Sequence, residues 1–218
     1  MNEPRENTKK KPSIFFTDTT PYKVTNLEHF ITSSGQELPI KAPMLLCRCG
    51  ASQNKPYCDG SHVKIEFKGE KRPDRVADRV VEYRGKEITI VDNRGICSHD
   101  GSCFRFLPQV FMPEKHRWIR PNEASKEKII QTIEKCPSGA LSYKLDGKRY
   151  QNLDREPAII VAKKGPFEIV GYIELRDDMH SKPECEEHYT LCRCGGSKNH
   201  PFCDGSHLKN GFTDHHSI

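Results

Sequence analysis

Apolar positions come in short bursts along this chain, and most of them read as strands. Residues 21–25 (Pro-Tyr-Lys-Val-Thr) are extended, and the stretch from there to position 46 is broken by Ser33-Ser34-Gly35 and by Pro39. Two strand-like runs, 79–83 and 88–92, are joined by Arg84-Gly85-Lys86-Glu87 and predict a hairpin. Residues 158–162 (Ala-Ile-Ile-Val-Ala) start another strand, the chain turns at Lys164-Gly165-Pro166, and 167–170 continue toward Leu191. One segment has a helical period instead. Ile129, Ile130 and Ile133 share a face behind Ser125 as N-cap, with Glu127 in the first turn, Lys135 in the last and Pro137 as the stop. The pattern predicts a β-rich α+β protein of small units: a disordered tail over 1–20, a module over 21–75, a second unit over 76–150, a third over 151–212 that repeats the plan of the first, and a tail over 213–218.

Only 34% of residues are hydrophobic and 30% are charged, so the cores are expected to be thin. Small domains of that kind are commonly held by metals or disulfides. The ten cysteines fall below the roughly 8–10% of a disulfide scaffold and cluster with histidine, which favours ligation and a reducing compartment. No apolar stretch could serve as a secretory core or a membrane span, so a soluble, cytoplasmic protein with no membrane partner is expected. The net charge of +5 comes from 35 basic and 30 acidic side chains mixed along the chain. Outside Lys9-Lys10-Lys11 there is no basic block, and no nucleic-acid partner is expected. The chain has no glycine-rich nucleotide loop, no His-Glu metalloprotease helix and no nucleophile-base pairing at motif spacing, so no enzyme is expected.

A sixteen-residue cassette is written twice, Cys47-Arg-Cys-Gly-Ala-Ser-Gln-Asn-Lys-Pro-Tyr-Cys58-Asp-Gly-Ser-His62 and Cys192-Arg-Cys-Gly-Gly-Ser-Lys-Asn-His-Pro-Phe-Cys203-Asp-Gly-Ser-His207, with twelve positions identical. The copies lie 145 positions apart with an unrelated unit between them, which is a duplication with an insertion and not a solenoid. Each copy keeps three thiols and one imidazole at fixed spacing, a donor set that suits zinc or an iron-sulfur cluster. The Cys-x-Cys pair is tighter than the two-to-four-residue spacing of structural zinc pairs. Cys58 and His62 stand four apart, so a helical turn opened by Asp59-Gly60-Ser61 would point both at one metal ion. In a two-iron cluster Cys47 and Cys49 would hold the inner iron, and Cys58 and His62 the outer one. Pro56 stiffens the approach, Gly60 lets the backbone come close, and the Asp59 carboxylate or Ser61 hydroxyl can take up free amides at the turn. Spacing alone leaves zinc and iron-sulfur open.

The two Cys-Asp-Gly-Ser-His runs at 58–62 and 203–207 resemble the CDGSH iron-sulfur (NEET-type) family. That resemblance implies one [2Fe-2S] cluster on Cys47, Cys49, Cys58 and His62, and a second on Cys192, Cys194, Cys203 and His207. It also implies two modules packed about a two-fold axis around a shared β-rich cap, here within one chain, as a monomer with internal pseudo-symmetry. One imidazole ligand places the potential between the roughly −400 mV of all-cysteine ferredoxins and the roughly −150 to +300 mV of Rieske centres. Because acid competes with iron for imidazole, the centres are expected to be acid-labile.

Between the modules, Cys97-Ser-His-Asp100-Gly-Ser-Cys103 and the distant Cys136-Pro137 resemble a single-cluster ferredoxin in which Asp100 stands at the middle cysteine position. Leu107-Pro-Gln-Val-Phe111 and Cys136-Pro-Ser-Gly-Ala-Leu141 add to a likeness that covers 79–145, similar to the divergent mono-cluster type found fused to CDGSH modules. Three thiolates suffice for a [3Fe-4S] cluster. A [4Fe-4S] cluster needs a fourth donor, for which Asp100 fits by spacing and His99 by softness.

Of the remaining candidates, Cys185 stands among Glu184, Glu186, Glu187 and His188 and reads as a spare surface thiol. Trp118 reads as packing against the cluster loop. Lys198 and His200 replace Gln53 and Lys55 of the first cassette, so different cationic surroundings and different potentials are expected at the two sites. His215 and His216 belong to the C-terminal tail. The chain is expected to be an electron carrier with three centres, served by a flavoprotein or ferredoxin reductase. The alternatives are a donor that delivers [2Fe-2S] units to apo-acceptor proteins through histidine protonation, and a zinc-binding interaction module.

Overall fold

A computed structural model describes residues 10–214. Four strands open it, β1 (Ser13–Phe16), β2 (Tyr22–Thr25), β3 (His29–Thr32) and β4 (Met44–Leu46), and the first cassette follows β4 and ends in the short helix α1 (Ser61–Lys64). The middle of the chain forms β5 (Val80–Arg84), β6 (Thr89–Asn93), α2 (Ser102–Phe106), α3 (Lys126–Ile133), β7 (Leu141–Leu145) and β8 (Lys148–Tyr150). The last part forms β9 (Ala158–Val161), β10 (Phe167–Val170), β11 (Glu174–Asp177) and β12 (His188–Leu191), and the second cassette follows β12.

The strand order is β11-β1-β2-β4 in one sheet and β12-β10-β9-β3 in another. The first residues of β1 and β9, of β2 and β10, and of β3 and β11 are 145 positions apart, the same offset as the cassettes. Each sheet therefore takes three strands from one copy and the third strand of the other. The exchanged strands pair in parallel, Ser13 with Glu174 through Phe16 with Asp177, and His29 with Ala158 through Thr32 with Val161. Alternation along these strands sends Ile14, Phe16, Tyr22 and Phe30 from one copy and Ile159, Val161, Phe167 and Ile169 from the other into a single core. This corrects the expected disordered tail over 1–20, since β1 is a buried strand with Ile14 and Phe16 facing inward. One partner, β2, is close in sequence, but a four-residue run is a weak signal and the other partner, β11, lies far along the chain. Residues 1–9 lie outside the described residues, as do His215 and His216.

The middle unit is an antiparallel sheet in the order β5-β6-β7-β8, and the expected hairpin pairs Val80 with Asn93 through Arg84 with Thr89. Ile129 and Ile133 of α3 are buried against Ile88, Ile90 and Leu141, with Ile130 at the edge of that core. Ser125 has extended N-cap backbone but makes no side-chain cap, and the helix closes at Ile133, so Lys135 lies beyond its last turn. Trp118 packs against Tyr83 and Phe111, beneath the Arg94 guanidinium at 4.3 Å.

Cys185 is 1% exposed, which corrects its reading as a surface thiol. Its Sγ lies 3.2 Å from His188 Nδ1, which in turn lies 2.7 Å from the Glu187 carboxylate. Glu187 also accepts two hydrogen bonds from Arg155, at 2.9 and 2.7 Å, and the amides of Leu153 and Gly171 at 3.3 Å. Arg149 pairs with Glu184 at 2.6 Å in the same way. The acidic run looked solvent-facing because the arginines that neutralise it sit about 30 residues upstream, on the segment leaving the middle sheet. Burial opposes the Glu187 charge, but Arg155 and His188 outweigh it and hold the carboxyl below the usual glutamate range. A lowered folded value means the contribution to stability is complete above the ordinary glutamate pKa and disappears as acid protonates the group. Glu187→Gln should cost about 1–3 kcal/mol or more at neutral pH. In thermal unfolding the gap between the two proteins should close as pH falls through the carboxylate range.

Candidate metal centres

β4 and β12 each deliver a Cys-x-Cys pair from the buried end of a strand. The cassette then folds back on that strand: the Cys47 amide donates to Pro56 O at 2.9 Å and the Cys58 amide to Leu45 O at 2.9 Å. Cys192 to Pro201 (2.7 Å) and Cys203 to Thr190 (3.0 Å) repeat the pattern. This return path brings the half that holds the third cysteine and the histidine beside the Cys-x-Cys half. Cys47 Sγ and Cys49 Sγ stand 3.8 Å apart, as do those of Cys192 and Cys194. Cys58 Sγ lies 3.3 Å from His62 Nδ1, and Cys203 Sγ 3.4 Å from His207 Nδ1. With a metal-thiolate bond of about 2.3 Å, two sulfurs on one tetrahedral ion stand about 3.8 Å apart. Each pair is spaced to hold one ion.

The turn between the third cysteine and the histidine works as the sequence suggests. Gly60 and Gly205 take left-handed backbone, with φ of 86° and 82°. Asp59 accepts the amides of Ser61 at 3.0 Å and Gln53 at 2.8 Å, and Asp204 those of Ser206 at 3.0 Å and Lys198 at 2.8 Å. The bonds from Ser61 and Gln53 hold the Asp59 carboxyl down at about 2. The glycine amides donate to sulfur, Gly60 to Cys58 at 3.4 Å and Gly205 to Cys203 at 3.5 Å.

The donor chemistry of these pockets fits a bound cation. Hydrogen bonding to Cys49 lowers Cys47 to about 6 while Cys49 itself is driven up, and Cys194 falls to about 7 beside a raised Cys192. Burial pushes Cys58 and Cys203 up as well. Left to itself, each pocket ionises one thiol readily; a metal makes all three thiolates, which is the fit a cationic centre requires. Behind each Cys-x-Cys pair a fully buried arginine stands between aromatic rings. Arg48 bonds the carbonyls of Thr17 (2.5 Å), Thr20 (3.3 Å) and Gly69 (3.3 Å) beside Phe16 and Tyr22. Arg193 bonds Gly165 O and Ala162 O but also pairs with Asp214 at 2.8 Å. The sequence reading gave these arginines no role, although Cys-Arg-Cys in both copies was the visible signal.

Neither His200 nor Lys198 brings an unpaired cation to the second site. His200 is buried edge-on against Phe67, and burial together with Arg48 lowers it to about 4, so it is neutral at pH 7. Lys198 is met by Asp74 at 2.6 Å. A further difference is the Asp214 carboxylate paired with Arg193, whereas among the described residues the hydrogen-bond partners of Arg48 are backbone carbonyls. The two sites also touch. Cys49 and Cys194 form a backbone bridge, and a side chain on Gly50 would meet Cys194 O at 2.4 Å, as one on Gly195 would meet Cys49 O at 2.2 Å.

In the middle unit Cys97, Cys103, Cys136 and Asp100 line one cavity, together with Arg94 and Ser138. Burial raises Cys97 to about 12 and Cys103 to about 11. Asp100-Gly101-Ser102 repeats the Asp-Gly-Ser turn of the cassettes, with Gly101 at φ 83°. The Asp100 carboxylate accepts the Ser102 amide at 3.0 Å and the Ser102 hydroxyl, and it pairs with Arg105 at 3.4 Å. The His99 ring does not line this cavity; it lies on Gly205 of the second cassette.

Residues 19–63 and 164–208 match the family described as "Iron-binding zinc finger CDGSH type", and residues 83–146 match "Divergent 4Fe-4S mono-cluster". The chain carries two CDGSH iron-binding domains around a divergent 4Fe-4S mono-cluster domain. It is an iron-sulfur protein. Uncharacterized protein YjdI of Escherichia coli strain K12, and the protein of the same name in Escherichia coli O157:H7, are each 37% identical over 62 residues, which is 28% of this chain and 82% of the relative. No solved structure matches the chain. Among the described residues, no helix is long and apolar enough to cross a membrane. In the second CDGSH domain, Asp204→Ala removes both capping bonds and should cost about 0.5–2 kcal/mol of local stability. Faster hydrogen exchange at the Lys198 and Ser206 amides, with Gln53 and Ser61 unchanged, is the expected readout.

Proposed function

We propose that this is an electron-transfer protein with two [2Fe-2S] clusters, each on three cysteines and one histidine, and one [3Fe-4S] or [4Fe-4S] cluster, and that it is not an enzyme. The supporting observation is the division of each set of three thiols and one imidazole into two tight pairs. The pairs are 3.3–3.8 Å across, yet among the described residues no three of these donors lie within 4.8 Å of one another. A single zinc ion would gather all four, whereas a two-iron cluster needs two pairs set apart. The three thiols of the middle site are likewise too dispersed for one ion and surround a common cavity. The strand exchange and the Cys49–Cys194 contact support reading the CDGSH domains as one pair within a monomer.

When bound, such clusters supply one-electron chemistry. The chain's part is to charge the thiolates, to hold imidazole Nδ1 at the outer position and to exclude water from the inner cysteines. Partners for this role are a flavoprotein or ferredoxin reductase, with no membrane or nucleic acid required. A second reading, donation of [2Fe-2S] to apo-acceptor proteins, is favoured by the accessibility of the first site. His62 sits on α1 with Val63 70% and Ile65 51% exposed, and imidazole is the ligand that protons displace.

Anaerobically purified protein should be red-brown, with roughly seven or eight irons and about eight acid-labile sulfides per chain. Colourless protein with stoichiometric zinc would overturn the reading. His62→Cys and His207→Cys should lower the corresponding midpoint potentials toward about −400 mV. The double variant also separates the two roles: fast transfer to an apo-ferredoxin that is lost on His-to-Cys replacement marks a donor, and clusters that only cycle redox state mark a carrier.

A further inference from the structure

The two CDGSH cassettes share their ligands but differ in what covers them. At Gly60 a side chain would meet nothing within 4 Å. At Gly205, in the same left-handed conformation, it would meet the His99 ring and Cβ at 2.7–3.0 Å. The burial follows suit. Cys203 and His207 are buried, at 2% and 8% exposed, while Cys58 and His62 are half-buried. His99 is also tied to the middle site, because its amide donates to Cys97 Sγ at 3.4 Å. Gly205, under its ring, donates to Cys203 Sγ at 3.5 Å. Two amide-to-sulfur bonds and one van der Waals contact thus join a thiol of the middle site to a thiol of the second CDGSH site. A second clamp runs alongside, where the buried Asn199 side chain donates to Gly95 O at 2.8 Å, just before Cys97. Asn54, its counterpart in the first cassette, is exposed.

We propose that His99 is a positioning residue that closes the second CDGSH site against the middle site, so that these two sites exchange electrons directly, while the first site faces the surroundings through His62. The inference rests on the electron-transfer reading above. One electron, supplied by an external one-electron reductant, leaves the middle site oxidised by one as it reduces the second site by one. No proton or bond is exchanged. The Cys49–Cys194 contact then makes the first site the next stop and the point of exit to a one-electron acceptor.

The test is paramagnetic resonance on dithionite-reduced full-length protein. Spin-spin splitting of the middle centre should persist in Cys58→Ser and vanish in Cys203→Ser. Splitting lost in Cys58→Ser instead, or absent from protein with full iron and sulfide, would overturn the proposal. Protein lacking sulfide would instead defeat the iron-sulfur reading itself. Should Cys203→Ser fold poorly, a matched glycine pair carries the test. Gly60→Ala and Gly205→Ala impose the same left-handed strain, but only the second drives a methyl group into His99. With a ferrous chelator as probe, wild-type protein should lose first-site iron faster than second-site iron. Gly205→Ala and His99→Ala should each abolish that difference, with the iron content of the middle site unchanged, and Gly60→Ala should not. Equal loss from both sites in wild-type protein, or an unaltered difference in His99→Ala, would remove His99 from this role.

Discussion

The contact between the Cys49 and Cys194 backbones is the constraint on which the rest of the arrangement depends. Two chain segments approach so closely there that neither Gly50 nor Gly195 has room for a β-carbon. Such an approach is held only if the elements on both sides are fixed, and the exchanged strands fix them. β3 and β11 cross into opposite sheets and lock the copies together in parallel register. Tyr22 reinforces the link from the first copy, its hydroxyl bonding Cys192 O at 3.0 Å and Pro201 O at 3.1 Å in the second cassette. Composition makes merging the economical solution. A chain with 34% hydrophobic residues has little apolar surface for three separate interiors, so the two cassettes share one core and the inserted unit has the other.

Burying so much charge in thin cores needs compensation, and the chain supplies it locally. Arg48 and Arg193 are among the largest fully buried side chains, each the middle residue of a Cys-x-Cys run and packed behind it against aromatic rings. A guanidinium is suited to this place because it stays charged and its fixed fork can satisfy several carbonyls at once. Aspartates do the corresponding work at the turn, where Asp59 and Asp204 each draw two amides together and so set the direction of the histidine. The paired thiols and imidazoles are thus the innermost layer of a set of backbone bonds that aims them.

Legibility in the sequence followed the range of the interactions. The close Cys-x-Cys and cysteine-histidine pairs, the Asp-Gly-Ser turn, the hairpin around Gly85 and the amphipathic face of α3 are all local, and each leaves its signature within a few residues. What escaped was nonlocal. β1 looked like tail because it is a four-residue run whose local pairing with β2 is short, and its second neighbour, β11, is reached only after the whole insertion. Cys185 looked exposed because a run of acids surrounds it, and only the fold brings Arg149 and Arg155 onto those carboxylates. Lys198 and His200 looked cationic because a sequence shows charge types but not burial, and burial is what leaves His200 neutral.

Near-identity of the cassettes therefore says little about equivalence of the sites. A centre that gains negative charge on reduction responds to net charge and to water as much as to its ligands. The first site has Arg48, whose partners are neutral carbonyls, and an imidazole on an open helix. In the second, Asp214 cancels Arg193, and His99 covers the turn that carries the imidazole. Neutralising the cation and excluding water both disfavour added negative charge, so the two differences act in the same direction. Duplication preserved the grip on the metal, and the insertion between the copies gave each one a different environment.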